Sequence, residues 1–175
     1  YLFLGGKIRR YGSLLHNDDE RVNALNMDLK GSNWAVDAAG NTIKTNLFTK
    51  LFTLAFNKFA TLDPEGIGIE MESDKPGWND AMNGLPGLFG SGVSETVELL
   101  RLTKFLQASV VNQGAMLLPK EFTAFVNSVN TVLDSDKQGF EYWEQIATLR
   151  ESYRETVRFT VESNDETVNV TDVAS

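Results

Sequence analysis

The stretch Asn46–Ala60 limits the fold more than any other part of the chain. Leu47, Phe48, Leu51, Phe52, Leu54, Ala55, Phe56 and Phe59 recur at helical spacing and cover most of a helix's circumference. A helix apolar nearly all round predicts burial on several sides, so other elements must pack around it. Asp63-Pro64 ends it. Three more helical patterns follow. Ser94 can cap a helix running to about Asn112, with Glu95 and Glu98 suiting its start and Leu99, Leu102, Leu106 and Val110 in one stripe. Pro119 opens another, with Phe122, Phe125, Val126, Val129, Val132 and Leu133 at helical spacing. After a break at Asp134–Lys137, a last helix covers about Gly139 to Phe159, with Trp143, Ile146, Leu149, Tyr153 and Val157 as its apolar stripe. The pairs Glu151–Arg154 and Glu155–Arg158 are expected on its wet side. The expected class is mainly α, and consecutive antiparallel helices fit either a bundle or an α/α toroid.

The flanks are less regular. Residues 1–45 read as irregular: Tyr1-Leu-Phe-Leu4 is stopped by Gly5-Gly6, a short helix fits behind Asn17, and Ala38–Asn41 reads as a turn. The tail, 160–175, is polar; Val161, Val168 and Val170 suit an edge strand, with disorder the alternative. With 42% hydrophobic and 23% charged residues in 175, one core is within reach, and the chain reads as a single segment. Its net charge of −8, with 16 scattered Lys and Arg, argues against nucleic acid as a partner. Having no Cys and one His excludes disulfides, thiolate metal sites and multi-His zinc centres. Nothing approaches the roughly 20 apolar residues that span a bilayer, and no signal peptide is visible. The chain begins at Tyr1 rather than Met, and we expect a fragment of something longer.

The chemistry is expected in residues 66–92. Gly66–Glu70 suits a short extended piece, and about twenty residues of loop follow. Loops of that length inside a domain usually have a function. This one carries Trp78, Met82, Leu85, Leu88 and Phe89, which predicts a packed loop. Glu70-Met-Glu-Ser-Asp-Lys-Pro-Gly-Trp-Asn-Asp-Ala-Met-Asn83 brings carboxylates, an indole and two amides together. Those are the parts of a sugar site: carboxylates move protons, amides bond hydroxyls, and an indole covers the apolar face of a pyranose. A general acid needs a carboxyl held protonated by burial or a neighbouring charge, and Asp80, next to Trp78-Asn79, is placed to receive both. The alternatives are a solvated acidic loop or a cation held by Glu70, Glu72, Asp74 and Asp80, though their spacing is not that of an EF-hand.

The word Trp78-Asn-Asp-Ala-Met-Asn83 resembles the Trp-Asn-Asp-Gly-Met-Asn signature of the cellobiose and chitobiose phosphorylases, glycoside hydrolase family 94. The likeness covers about residues 71–112, and the phrase Lys75–Gly90 also resembles long bacterial proteins of cellobiose-phosphorylase-like kind. It implies a partial (α/α)6 toroid of the six-hairpin glycosidase type, completed by the remainder of a longer chain. Asp80 would be the general acid, with Trp78 and Asn79 lining the sugar pocket. Beside the resemblance, Asn83 is a further candidate sugar contact, and Glu72 is placed either to bond a sugar hydroxyl or to make a structural hydrogen bond. Inorganic phosphate would be a co-substrate; no metal or other cofactor is implied. The reaction would be inverting phosphorolysis of a small oligosaccharide in the cytoplasm, with the segment inactive without its flanks. An inverting glycosidase or a non-catalytic carbohydrate-binding helical module are the rivals. The sequence departs from the family at Gly77, where an acidic residue is usual, at Ala81 in place of Gly, and at Gly84-Leu-Pro-Gly87.

Other candidates have plainer alternatives. Trp34 with Asn33 and Asp37 could form a second sugar-contacting patch; core packing of Trp34 is the alternative. Gly84–Gly92 before a helix lacks the Gly-Lys-Ser/Thr ending of a phosphate loop, and Glu95 and Glu98 would repel an anion there. His16 reads as structural or solvent-facing, and Trp143 as an interhelical core residue. Exposed apolar helix faces would favour association into homo-oligomers.

Overall fold

Asn46 starts the first long helix: its side chain accepts the Thr49 N–H at 2.8 Å, and α1 runs Leu47–Phe59. The computed structural model describes residues 2–4, 7–9, 19–20, 23–24, 36–37, 39–70, 91–110, 114–157, 161–162 and 165–169. Among them the architecture is mainly α. Helices α2 (Val93–Val110), α3 (Lys120–Leu133) and α4 (Gly139–Thr156) follow α1. Three two-stranded antiparallel sheets join them: β1 (Leu2–Leu4) with β2 (Lys7–Arg9), β3 (Ile69–Glu70) with β4 (Ser91–Gly92), and β5 (Ala115–Pro119) with β6 (Asp165–Asn169). No helix of the described residues is long and apolar enough to cross a membrane.

The core lies where α1, α3, α4 and β5 meet. Leu118, Phe122, Val126 and Val129 are buried at its centre, with Phe125, Met116, Val132 and Ile146 around them. Aromatic rings carry much of this packing. Phe122 meets Phe52 and Phe56 edge-on at 5.4 and 5.7 Å, and Phe125 meets Phe56 edge-on at 5.2 Å. Edge-to-face pairs at these distances add about 0.5–1.5 kcal/mol each beyond the area they bury. Helix α2 is more peripheral and packs on α1 and β3. Thr49, buried within α1, donates its hydroxyl to the Leu117 carbonyl at 3.1 Å and ties that helix to β5.

Several expectations are corrected. α1 is covered on more than one side, by the core through Phe48, Phe52, Phe56 and Phe59, by α2 and by β5, but one stripe stays open, with Leu47 and Leu54 72% and 50% exposed. Ser94 does not cap α2, which begins at Val93. Residues 1–45 are not wholly irregular, since β1 and β2 pair in register from Leu2↔Arg9 to Leu4↔Lys7 and lie against α4. Gly5-Gly6 between them is the composition of a tight hairpin. The turn near Gly40 is present: Asp37 accepts the N–H groups of Ala39 and Asn41, and Gly40 takes a φ of 82°. The tail contributes β6 through residues 165–169, in register with β5 from Ala115↔Asn169 to Pro119↔Asp165. Glu151 does not face water: it is 5% exposed and lies beside Arg150, at 2%.

Candidate functional site

The expected site residues Glu72, Trp78, Asn79, Asp80 and Asn83, and Trp34, lie outside the described residues, as does His16. What is described is the stem from which residues 71–90 depart and to which they return. Register pairs Ile69 with Gly92 and Glu70 with Ser91, so twenty residues leave and re-enter the fold at facing positions.

The stem is built from the end of α1 outward. After the Ala60 cap, the chain turns at Asp63-Pro64-Glu65-Gly66 and doubles back, with Leu62 bridging Ile69. The Glu70 N–H donates to the Thr61 carbonyl at 2.8 Å, and the Asp63 N–H to the Gly68 carbonyl at 2.8 Å. The Asp63 carboxylate organises the turn. It accepts N–H groups from Glu65, Ile67 and Gly68 at 2.9–3.1 Å and the Ser91 hydroxyl at 2.8 Å, joining outgoing and returning strands. Burial pushes its pKa up, but the hydrogen bonds from Ile67, Ser91, Gly68 and Glu65 outweigh that and hold it below 3.8. Gly66 supplies the positive φ, 67°, that the turn needs. Gly68 is needed for proximity: a Cβ there would lie 2.5 Å from the Ser91 Oγ and 2.6 Å from its Cβ.

Beneath the stem lies a buried ionic cluster. Glu70 is 5% exposed; its Oε1 accepts the Trp143 indole N–H at 2.9 Å, and its Oε2 lies 4.0 Å from Arg150 Nη1. Arg150 donates through Nη1 to the Ala60 carbonyl at 2.7 Å and through Nε to Glu151 at 2.9 Å. Arg154 joins at 3.2 Å from Glu151, and desolvation lowers its pKa. The arginine thus links α4 to the cap of α1 and to the loop's first anchored residue.

These contacts define what the stem can do. Glu70, weighed above as a cation ligand, is engaged with Trp143 and Arg150 inside the protein. Among the described residues no group of three or more His, Cys, Asp or Glu side chains is placed to hold a metal ion. Asp37, weighed as part of a second sugar patch, uses its carboxylate on its own turn and on the Asn41 amide. Trp143 is an interior residue, as expected. Asp63, Gly68, Ser91 and Arg150 were not anticipated. The run Asp-Pro-Glu-Gly is a turn composition in which Asp bonds backbone N–H groups downstream, and that signal was available. Arg150 falls on the same helical face as Trp143 and Ala147, which is the local hint that it points inward. Its partner Glu70 is 80 positions away, and no local pattern carries that pairing.

No protein-family model, curated protein or solved structure matches this chain.

Proposed function

We propose that the chain is a segment of an inverting glycoside phosphorylase resembling the cellobiose and chitobiose phosphorylases, with Asp80 as its general acid. The observation that carries this reading is the word Trp78-Asn79-Asp80-Ala81-Met82-Asn83, which falls midway in sequence between Glu70 and Ser91, two residues paired at facing positions. A loop that must hold a carboxyl against a sugar within tenths of an ångström needs such anchoring. In the proposed reaction a phosphate oxygen bonds the anomeric carbon as the glycosidic C–O bond breaks on the opposite face. The Asp80 proton passes to the departing oxygen, and a sugar 1-phosphate of inverted configuration results. Trp78 covers the ring's apolar face, and Asn79, Asn83 and Glu72 bond hydroxyls; Trp34 belongs to a second contact patch. The helices form part of an (α/α)6 toroid that the rest of a longer, cytoplasmic chain completes.

Phosphate is already nucleophilic, so one protein carboxyl suffices. Hydrolysis with inversion needs a second carboxylate about 6.5–9.5 Å from the first to activate water. Glu70, the described carboxylate next to the loop, is engaged with Trp143 and Arg150 and is unsuited to that role. The test is Asp80→Asn in the full-length enzyme. Turnover of unactivated disaccharide should fall by about 10²–10⁴, with sugar affinity nearly intact and sugar 1-phosphate release dependent on phosphate. An unchanged rate removes Asp80 from the chemistry; phosphate-independent cleavage selects the glycosidase, and binding without turnover in the unmutated enzyme selects the carbohydrate-binding module.

A further inference from the structure

A second concavity lies on a different face of α4 from the loop stem. It is a groove of about 480 Å³ between α3 and α4, within the range of small-molecule sites. Phe125, Leu149 and Tyr153 form its apolar lining, and the Tyr153 ring stacks on Phe125 with centroids 4.8 Å apart and planes within 4°. Serine hydroxyls line its sides, and its charges gather at Lys120, Glu121 and Glu162. Lys120 and Glu162 form a solvent-exposed pair at 3.8 Å and offset each other, which leaves the lining with the single negative charge of Glu121. Burial and that charge push the Tyr153 pKa up to about 12, so the phenol stays neutral.

Glu121 is only half satisfied. Its Oε1 accepts the Glu162 N–H at 2.6 Å, while its Oε2 is buried with no hydrogen-bond partner among the described residues. A buried carboxylate oxygen without a donor is costly, and such an atom beside a cavity marks where a donor is missing. Glu121 lines the groove, and a turn about its Cβ–Cγ bond that gives up the single Glu162 N–H bond would present the carboxylate to a ligand there.

We propose that this groove binds a small organic ammonium ion with an apolar body. The ammonium would pair with the Glu121 carboxylate, and the body would lie against Tyr153 and Phe125. The charge selects a cation, the aromatic lining favours one that carries apolar surface, and the volume admits a single ring. This site stands whether or not Asp80 is an acid. On α4 the groove uses Leu149 and Tyr153, whereas the stem uses Trp143 and Arg150.

The test is titration of the ¹⁵N-labelled 175-residue chain with benzylammonium and, separately, with the neutral isostere benzyl alcohol. Saturable shifts confined to α3 and α4 are expected, with the ammonium binding at least about tenfold more tightly than the alcohol. Glu121→Gln should remove that preference, and Ser152→Trp, at the exposed rim, should block both ligands. Equal affinity for ammonium and alcohol, retention of the preference in a folded Glu121→Gln chain, or no shifts along the groove would each overturn the proposal. If Glu121→Gln fails to fold, the ammonium–alcohol comparison and Ser152→Trp decide it.

Discussion

Arg150 is the residue on which the interior of this protein depends most. Its guanidinium sits among Glu70, Glu151 and the Ala60 carbonyl at 2% exposure. Taking an arginine and two carboxylates out of water is costly, and mutual attraction and hydrogen bonds offset that only while every member is present. Removing the cation strands two acidic groups. Arg150→Met should therefore destabilise the chain by about 3–5 kcal/mol, the range for breaking a buried ion pair. Trp143→Phe keeps most of the packing and removes one donor to Glu70, so it should cost about 1.5–3 kcal/mol. Urea unfolding followed by circular dichroism gives both values, and the ordering is the point at issue. An Arg150→Met chain as stable as the Trp143→Phe chain would show that the cluster does not depend on its arginine.

At the scale of elements, the turn at Asp63 makes loop anchoring depend on acid. Its carboxylate has a lower pKa in the folded chain than in the unfolded chain, so folding favours the ionised form. The stability it supplies is complete above the unfolded value of about 3.9 and is lost as pH falls through the lower folded value. Asp63→Asn keeps an acceptor oxygen but no charge. The variant should be less stable than the parent at pH 6, by about 1 kcal/mol for a weakened set of charge-assisted bonds at a partly exposed site. The gap should narrow steadily below pH 4. Urea midpoints for both chains between pH 6 and 2.5 measure this, and a gap independent of pH would assign Asp63 a purely steric role.

The helices themselves were legible in the sequence because each carries its own period: Phe122, Phe125, Val126 and Val129 read as one buried face and are one. What escaped was relational. Met116 and Leu118 point inward from β5, an alternation visible over only five residues, whose partner strand lies some fifty residues later. Leu47 and Leu54 have the same apolar character as the partly buried phenylalanines around them, so composition could not say which side of α1 would remain uncovered. Glu151 was assigned to the wet face on charge alone, although it follows Arg150 into the interior. The residues expected to perform chemistry lie outside those the structure describes; their legibility rests on a six-residue word.

At the scale of the whole molecule, α2 presents apolar surface outward. Val93, Val97 and Leu100 fall along one stripe, each more than half exposed. Contiguous apolar surface of this kind promotes association. Sedimentation velocity on the 175-residue chain should show a coefficient that rises with concentration. Leu100→Lys should weaken self-association about ten- to a hundredfold, since burying a leucine is worth about 1.5–3 kcal/mol. Concentration-independent monomers would mean that this stripe drives no self-association. The facing ends at Glu70 and Ser91 have a different consequence. A segment that starts and finishes at the same doorway can be exchanged for another without moving any wall of the house. On the proposed function, specificity is therefore free to diverge by wholesale replacement of residues 71–90, with the helices inherited intact.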